Sequence, residues 1–149
     1  IMPNTPVSVG EGMILYDTCK CISTEAEELF LAVMGKSGKL DKIPEALIDA
    51  GSALSGCGPA FVFMFIEAMA DAAVAEGMPR KQAYHFAAQA VLGSAKMVLE
   101  TGMHPGELKD MVCSPGGTTI EAVKVLEQKG MRGAVMSAME ACIEKSKNL

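Results

Sequence analysis

Apolar positions change their period twice within the first 43 residues. Met13-Ile14-Leu15-Tyr16 is a β-prone run, and Pro3, Pro6, Gly10 and Gly12 punctuate the chain before it. Residues 1–22 therefore predict one or two short strands with turns between them. Ala26, Leu29, Phe30, Val33 and Met34 then recur at helical spacing behind Thr24-x-x-Glu27, which reads as a capping box. Gly35 and Gly38 close that helix, and a further short strand is expected over 40–43. Strand, helix, strand is the tail end of an α/β domain, too small to stand alone.

From Pro44 onward the pattern is helical to the end of the chain. A short helix is expected from Pro44 to Ala50, closed by Gly51, and Ser55-Gly56-Cys57-Gly58-Pro59 reads as a flexible break. The helix after it, 59–76, is apolar on nearly every face, with Phe61, Val62, Phe63, Met64, Phe65, Ile66 and Met69. Such a helix has to be covered on all sides. One small domain offers few ways to do that, so a partner subunit is expected to supply the missing cover. Gly77 and Pro79 precede an Ala-rich helix over 80–100, Pro105 opens a short helix to Val112, and two last helices cover about 118–129 and 132–145, hinged at Gly130.

Composition narrows the class. Of 149 residues, 50% are apolar and only 5% aromatic, with 12 Met and no Trp, which suits closely packed helices better than a β-sandwich. A net charge of −5 with 13 Lys and Arg gives no electrostatic footprint for nucleic acid. The longest apolar stretch, 59–66, is cut by Glu67 and Asp71 and reads as too short to span a bilayer. The chain opens Ile1-Met2-Pro3 with neither an initiating Met nor a basic leader, so more chain is expected before it. Cys19, Cys21, Cys57, Cys113 and Cys142 show no zinc spacing, and the expectation is reduced, cytoplasmic thiols that pack as small hydrophobes. No metal site is expected.

The densest candidate chemistry lies in Ser114-Pro115-Gly116-Gly117-Thr118-Thr119-Ile120-Glu121. Two glycines let backbone approach a ligand, and Thr118-x-x-Glu121 reads as a capping box that starts a helix. The positive end of that helix suits a carboxylate or phosphate. With Thr118 as cap, Thr119 is left with a free hydroxyl directed at the loop. The same pattern also serves as an ordinary turn and cap. Glu45, in the first turn after Pro44, is equally explained by the helix dipole. Asp41, Asp49, Glu67, Asp71 and Asp110 are not distinguished by spacing, and His104, before Pro105-Gly106, reads as a turn residue. No Gly-x-Gly-x-x-Gly opens a helix, so the chain shows no dinucleotide fingerprint.

Leu54-Ser55-Gly56-Cys57-Gly58-Pro59-Ala60-Phe61, then His104-Pro105-Gly106-Glu107-Leu108-Lys109-Asp110, then Ser114-Pro115-Gly116-Gly117-Thr118-Thr119 resemble pyrroline-5-carboxylate reductase, as does Met2-Pro3-Asn4-Thr5-Pro6. The resemblance covers essentially the whole chain, with the motifs in order. It implies a mainly α chain: residues 1–43 as the C-terminal remnant of a Rossmann domain, and 44–149 as an all-helical, bundle-like domain for dimerisation and substrate binding. It also implies the last step of proline synthesis, reduction of 1-pyrroline-5-carboxylate to L-proline by NADPH or NADH. The cofactor site would lie mostly upstream of Ile1, so this chain alone would bind no cofactor and lack activity.

The resemblance further assigns Ser114, Gly116, Gly117, Thr118 and Thr119 to the substrate loop. Amides of Gly117 and Thr118 would hold the substrate carboxylate, and Thr119 would be the catalytic residue that orients the ring nitrogen. Glu45 would approach from the other side and stabilise a positive nitrogen. Met111 stands where some members have an Asn that touches the cofactor, so no cofactor contact is assigned to it. The implied partners are a small-molecule substrate and a second copy of the chain, with five dimers forming a decamer in several members, and neither nucleic acid nor membrane. Two alternatives stand beside this reading. One is a related dehydrogenase with Rossmann and helical domains, although no Lys falls in the catalytic motif of such enzymes. The other is a non-catalytic helical dimerisation module.

Overall fold

The computed structural model describes residues 1–18 and 21–148. Its element order is β1 (Met2–Pro3), β2 (Gly12–Tyr16), α1 (Thr24–Met34), β3 (Gly38–Lys42), α2 (Ile48–Ser52), α3 (Gly58–Ala75), α4 (Arg80–Thr101), α5 (Pro105–Val112), α6 (Thr118–Gln128) and α7 (Met131–Ser146). A 3-10 turn at Thr5–Val9 separates β1 from β2. By compactness the chain forms two units, Ile1–Phe61 with Met136–Leu149, and Val62–Val135. That division does not coincide with the change from mixed to helical structure near residue 43.

In the first unit the three strands lie in the order β1-β2-β3. β1 pairs antiparallel with β2, and β2 pairs parallel with β3 in the register Gly12↔Gly38, Ile14↔Leu40, Tyr16↔Lys42. A parallel pair needs a crossover, and α1 supplies it. Ile14, Leu15 and Tyr16 are buried in consecutive positions, the mark of a strand covered on both faces. Tyr16 stacks tilted on Phe30 of α1 at 5.3 Å. Its hydroxyl donates to Glu27 at 3.3 Å, and Lys42 reaches the same carboxylate at 3.0 Å.

The start of α1 differs by one residue from the expected capping box. Ser23 is the N-cap, its Oγ accepting from the Ala26 amide at 3.3 Å, and Thr24 is already helical. Glu27 is thereby free to turn to Tyr16 and Lys42 instead of reaching back to a cap. Cys21 departs from the expectation of reduced thiols: it is disulfide-bonded and exposed in the turn before α1, not packed as a small hydrophobe. Cys19 lies outside the described residues.

The expected stop at Gly51 and break at 55–59 are not there. A 3-10 turn at Glu45–Leu47 leads into α2, then a π turn at Ala53–Cys57, then α3, so the path is helical from Glu45 to Ala75. Pro59 would normally interrupt it, because it has no N–H for the Ser55 carbonyl four residues back. Asn4 supplies the missing donor: its Nδ2 donates to that carbonyl at 2.9 Å, while its Oδ1 accepts from the Met13 amide at 2.9 Å. The Ser55 hydroxyl donates back to the Gly51 carbonyl at 2.9 Å. The continuous 31-residue helix also corrects the membrane argument, since by length and composition alone it could cross a bilayer.

The second unit is helical. Pro79 starts α4, and Gly102, in the left-handed region at φ 65°, ends it. Among its described residues only Ala70, Ala83 and Ala87 are fully buried. The large side chains lie open instead: Phe63 is 59% exposed, Phe86 51% and Leu99 82%. The chain thus leaves its most apolar helix uncovered, as expected if cover comes from elsewhere.

Candidate functional site

The candidate site belongs to the second unit and is built from α5, the loop after it and the start of α6. His104 is more than a turn residue: its Nδ1 accepts from the Gly106 amide at 3.0 Å, which makes it the N-cap of α5, with Pro105 in the first turn. Lys109 is ion-paired with Asp110, a contact that favours the charged ammonium. Asp71 is likewise held by Arg80, and in the first unit Asp49 accepts from the Ser146 hydroxyl at 2.6 Å. Three of the undistinguished carboxylates therefore have structural partners.

After α5 the chain reverses over Ser114-Pro115-Gly116-Gly117. The Gly117 amide donates to the Ser114 carbonyl at 3.0 Å, and Gly116 has φ 68°. Pro at the second position and a left-handed Gly at the third are the requirements of a type II turn. The two glycines meet different needs. Gly116 has open space around it but a backbone conformation that side chains resist. Gly117 has an ordinary φ of −78°, yet a Cβ there would collide with the Ser114 hydroxyl and come within 3.1 Å of the Ser114 carbonyl.

Gly117 is also the N-cap of α6, and no side chain caps that helix. Two expectations are corrected here. Thr118 is the first helical residue and not the cap, so no capping box joins it to Glu121, whose carboxylate sits 3.7 Å from Lys124. The Gly117 amide is already bonded to Ser114, so it does not face a ligand. The first-turn amides of Thr118, Thr119 and Ile120 are the ones left without a partner within the helix. Thr118 is exposed and Thr119 half-buried, so Thr119 is the hydroxyl nearer the protein. Together this is an uncapped, positive helix end beside a rigid turn, able to hold a carboxylate or phosphate.

Glu45 is exposed, at the start of the helical run in the first unit, whereas the loop is in the second. Met111 is 67% exposed on α5. Among the described residues no three His, Cys, Asp or Glu side chains converge as a metal site would require. The β2-α1-β3 crossover does not fit a dinucleotide. Ser23 already caps α1, and Glu25 and Glu27 stand in its first turn, where a pyrophosphate would have to lie. Backbone hydrogen bonding, with the Ser23 hydroxyl second, holds Glu25 below the ordinary carboxylate range, which keeps that negative charge in place. Asn4 was missed by sequence reasoning, since nothing local to it signals a bond to Ser55.

Residues 45–149 match the family described as pyrroline-5-carboxylate reductase dimerisation. The chain is 60% identical to the pyrroline-5-carboxylate reductase of Escherichia coli (strain K12) over 148 residues, which is 99% of this chain and 55% of that protein. It is 51% identical over 149 residues to the Methanosarcina acetivorans enzyme, covering 100% of this chain and 55% of that one. It thus spans about half the length of the curated relatives it matches. Among solved structures, the Plasmodium falciparum pyrroline carboxylate reductase with NADP bound superposes with a TM-score of 0.91 at 37% identity, over 99% of this chain and 60% of that one. The Streptococcus pyogenes 1-pyrroline-5-carboxylate reductase gives 0.93 at 33% identity, over 99% and 57%. On the match over 45–149, the chain belongs to the pyrroline-5-carboxylate reductase dimerisation family.

Proposed function

We propose that this chain is the substrate-holding and dimerising part of a pyrroline-5-carboxylate reductase, an oxidoreductase that converts 1-pyrroline-5-carboxylate to L-proline with NADPH or NADH. The single observation that carries the reading is the uncapped start of α6 behind the Ser114–Gly117 turn. The substrate's carboxylate would accept from the amides of Thr118, Thr119 and Ile120, and the turn built on Gly116 and Gly117 would hold those amides in place. Thr119, the half-buried hydroxyl, would hydrogen-bond the ring nitrogen and fix the ring's orientation. A hydroxyl is a poor acid, so positioning is its role. The reading also assigns Glu45 the part of stabilising positive charge on that nitrogen.

The dinucleotide is assigned to a part of the reductase outside this sequence, because α1 does not suit it. The reading places the protein in the cytoplasm as a homodimer, with a decamer as the higher assembly. It requires that the 149-residue chain alone does not oxidise NADPH in the presence of pyrroline-5-carboxylate. L-Proline, which shares the carboxylate and ring, should shift the amide resonances of Thr118, Thr119 and Ile120. Turnover by the isolated chain, or shifts confined to other residues, would refute it.

Hydroxyl removal in the full-length reductase is the second test. Thr119→Ala should lower kcat/KM by the equivalent of about 1.5–3 kcal/mol, the contribution of one hydrogen bond to a charged group, and Thr119→Ser should recover most of it. Thr118→Ala should leave stability within ~0.5 kcal/mol, because Thr118 caps nothing. Equal activity of Thr119→Ala and the parent enzyme would place the site elsewhere.

A further inference from the structure

Cys57 and Cys142 are 85 positions apart in sequence but line one cavity of about 460 Å³ in the first unit, with Ser52, Ala53 and Gly56 on one wall and Lys145 on the other. Cys57 closes the π turn that precedes α3, and Cys142 lies in the last turns of α7. Both are free thiols, both half-buried, and Cys57 is close enough to act on the Cys142 thiol. The whole second unit, Val62–Val135, lies between them in sequence. The pair therefore stands where the chain leaves the first unit and where it comes back. Neither residue has a part in the substrate loop.

We propose that Cys57 and Cys142 form a dithiol site that a small disulfide such as oxidised glutathione converts to an intrachain disulfide. The Cys57 thiolate attacks one sulfur of the small disulfide, a Cys57–glutathione bond forms, and one glutathione leaves with the electron pair and takes up a proton. Cys142 then gives up its proton to solvent and attacks the Cys57 sulfur, expelling the second glutathione. Two cysteines are oxidised and one small disulfide is reduced to two thiols, so the exchange balances. The order follows from the contact. The neighbouring Cys57 thiol, with burial second, raises the Cys142 thiol above its ordinary range, so Cys142 keeps its proton and resolves rather than attacks. The buried Ser52 hydroxyl beside the pair has no hydrogen-bond partner among the described residues, and Lys145 lines the same cavity.

The test treats the folded 149-residue chain with oxidised glutathione, blocks remaining thiols by alkylation, and digests with trypsin without reduction. The expected product links peptide 43–80, which holds Cys57, to peptide 133–145, which holds Cys142, in protein that still runs as a monomer on a non-reducing denaturing gel. C142S should stop at the mixed disulfide, carrying one glutathione on Cys57, and C57S should leave Cys142 open to alkylation. Phenylarsine oxide, which bridges adjacent thiols, should protect both cysteines in the parent chain and neither in the single variants. A disulfide-linked dimer, a link to the Cys113 peptide 110–124, or full alkylation of both cysteines after treatment and without arsenical protection would each overturn the proposal.

Discussion

Asn4→Ala removes a side chain that bridges two backbones. Its Nδ2 serves the Ser55 carbonyl and its Oδ1 the Met13 amide, both at 2.9 Å and both partly buried. An ordinary intramolecular hydrogen bond contributes about 0.5–1.5 kcal/mol net, and a partner left buried and unsatisfied costs about 1–3 kcal/mol. The Ser55 carbonyl is the worse orphan, since Pro59 has no N–H to replace the lost donor. A loss of about 2–3 kcal/mol follows, a large part of the ~5–15 kcal/mol that holds an ordinary domain. Pro59→Ala returns an N–H at the position that normally bonds Ser55. In that background Asn4→Ala should cost about 1 kcal/mol less, beyond the ~0.5 kcal/mol to which independent sites add. Urea unfolding of the four proteins at one fixed concentration measures the cycle. Equal costs in both backgrounds, or a cost below ~0.5 kcal/mol in the parent, would refute the bridging role.

The two loop glycines should fail differently. Gly116→Ala forces a side chain into the left-handed region at about 1–2 kcal/mol, whereas Gly117→Ala displaces the Ser114 hydroxyl, so its loss of L-proline binding by NMR should be partly recovered in Ser114→Ala/Gly117→Ala. Phe63→Ala should change a monomer by no more than ~0.5 kcal/mol, because the ring is 59% exposed in its own chain. In a dimer that buries it the cost should reach about 3–5 kcal/mol, with a melting midpoint that depends on protein concentration. Burial, with Glu27 beside the hydroxyl, holds the Tyr16 phenol above its ordinary value. Its share of stability is present below pH ~10 and lost as pH rises through the raised value, so Tyr16→Phe should flatten the alkaline limb of a stability profile.

Element type was legible because the periodicities are strong, and the helix pair 80–101 and 105–112 was bounded to a residue or two by Pro79, Gly102 and Pro105. What sequence could not give were the choices between adjacent signals. Ser23 and Thr24 are both good caps, and Ser23 takes the position through the Ala26 amide while Glu27 turns to Tyr16 and Lys42. Thr118 loses the cap position to Gly117, whose amide the Ser114 turn has already fixed. Residues 55–59 carry every local mark of a break. A side chain 51 positions away lets the helix pass through it. In the candidate site the loop and helix start were readable, but the amides that face a ligand were not, because a turn hydrogen bond decides which are spent.

The distribution of buried side chains bears on what completes this chain. Ile14, Leu15 and Tyr16, the large buried residues, all belong to β2, while the second unit has only alanines fully buried among its described residues. Alanine contributes little apolar area, so packing of the second unit within its own chain falls short of a normal core. Alanine does let another helix come close. A bilayer would also cover a 31-residue apolar helix, but this one carries Glu67 and Asp71 in its second half. A carboxylate at the centre of a membrane helix costs about 2.5–3.5 kcal/mol, and Asp71 is already engaged with Arg80 at the start of α4. A second copy offers apolar cover without requiring those charges to enter hydrocarbon. The family to which 45–149 belongs is a dimerisation family, and the exposed rings of Phe63, Phe65 and Phe86 are the surface such a partner would bury.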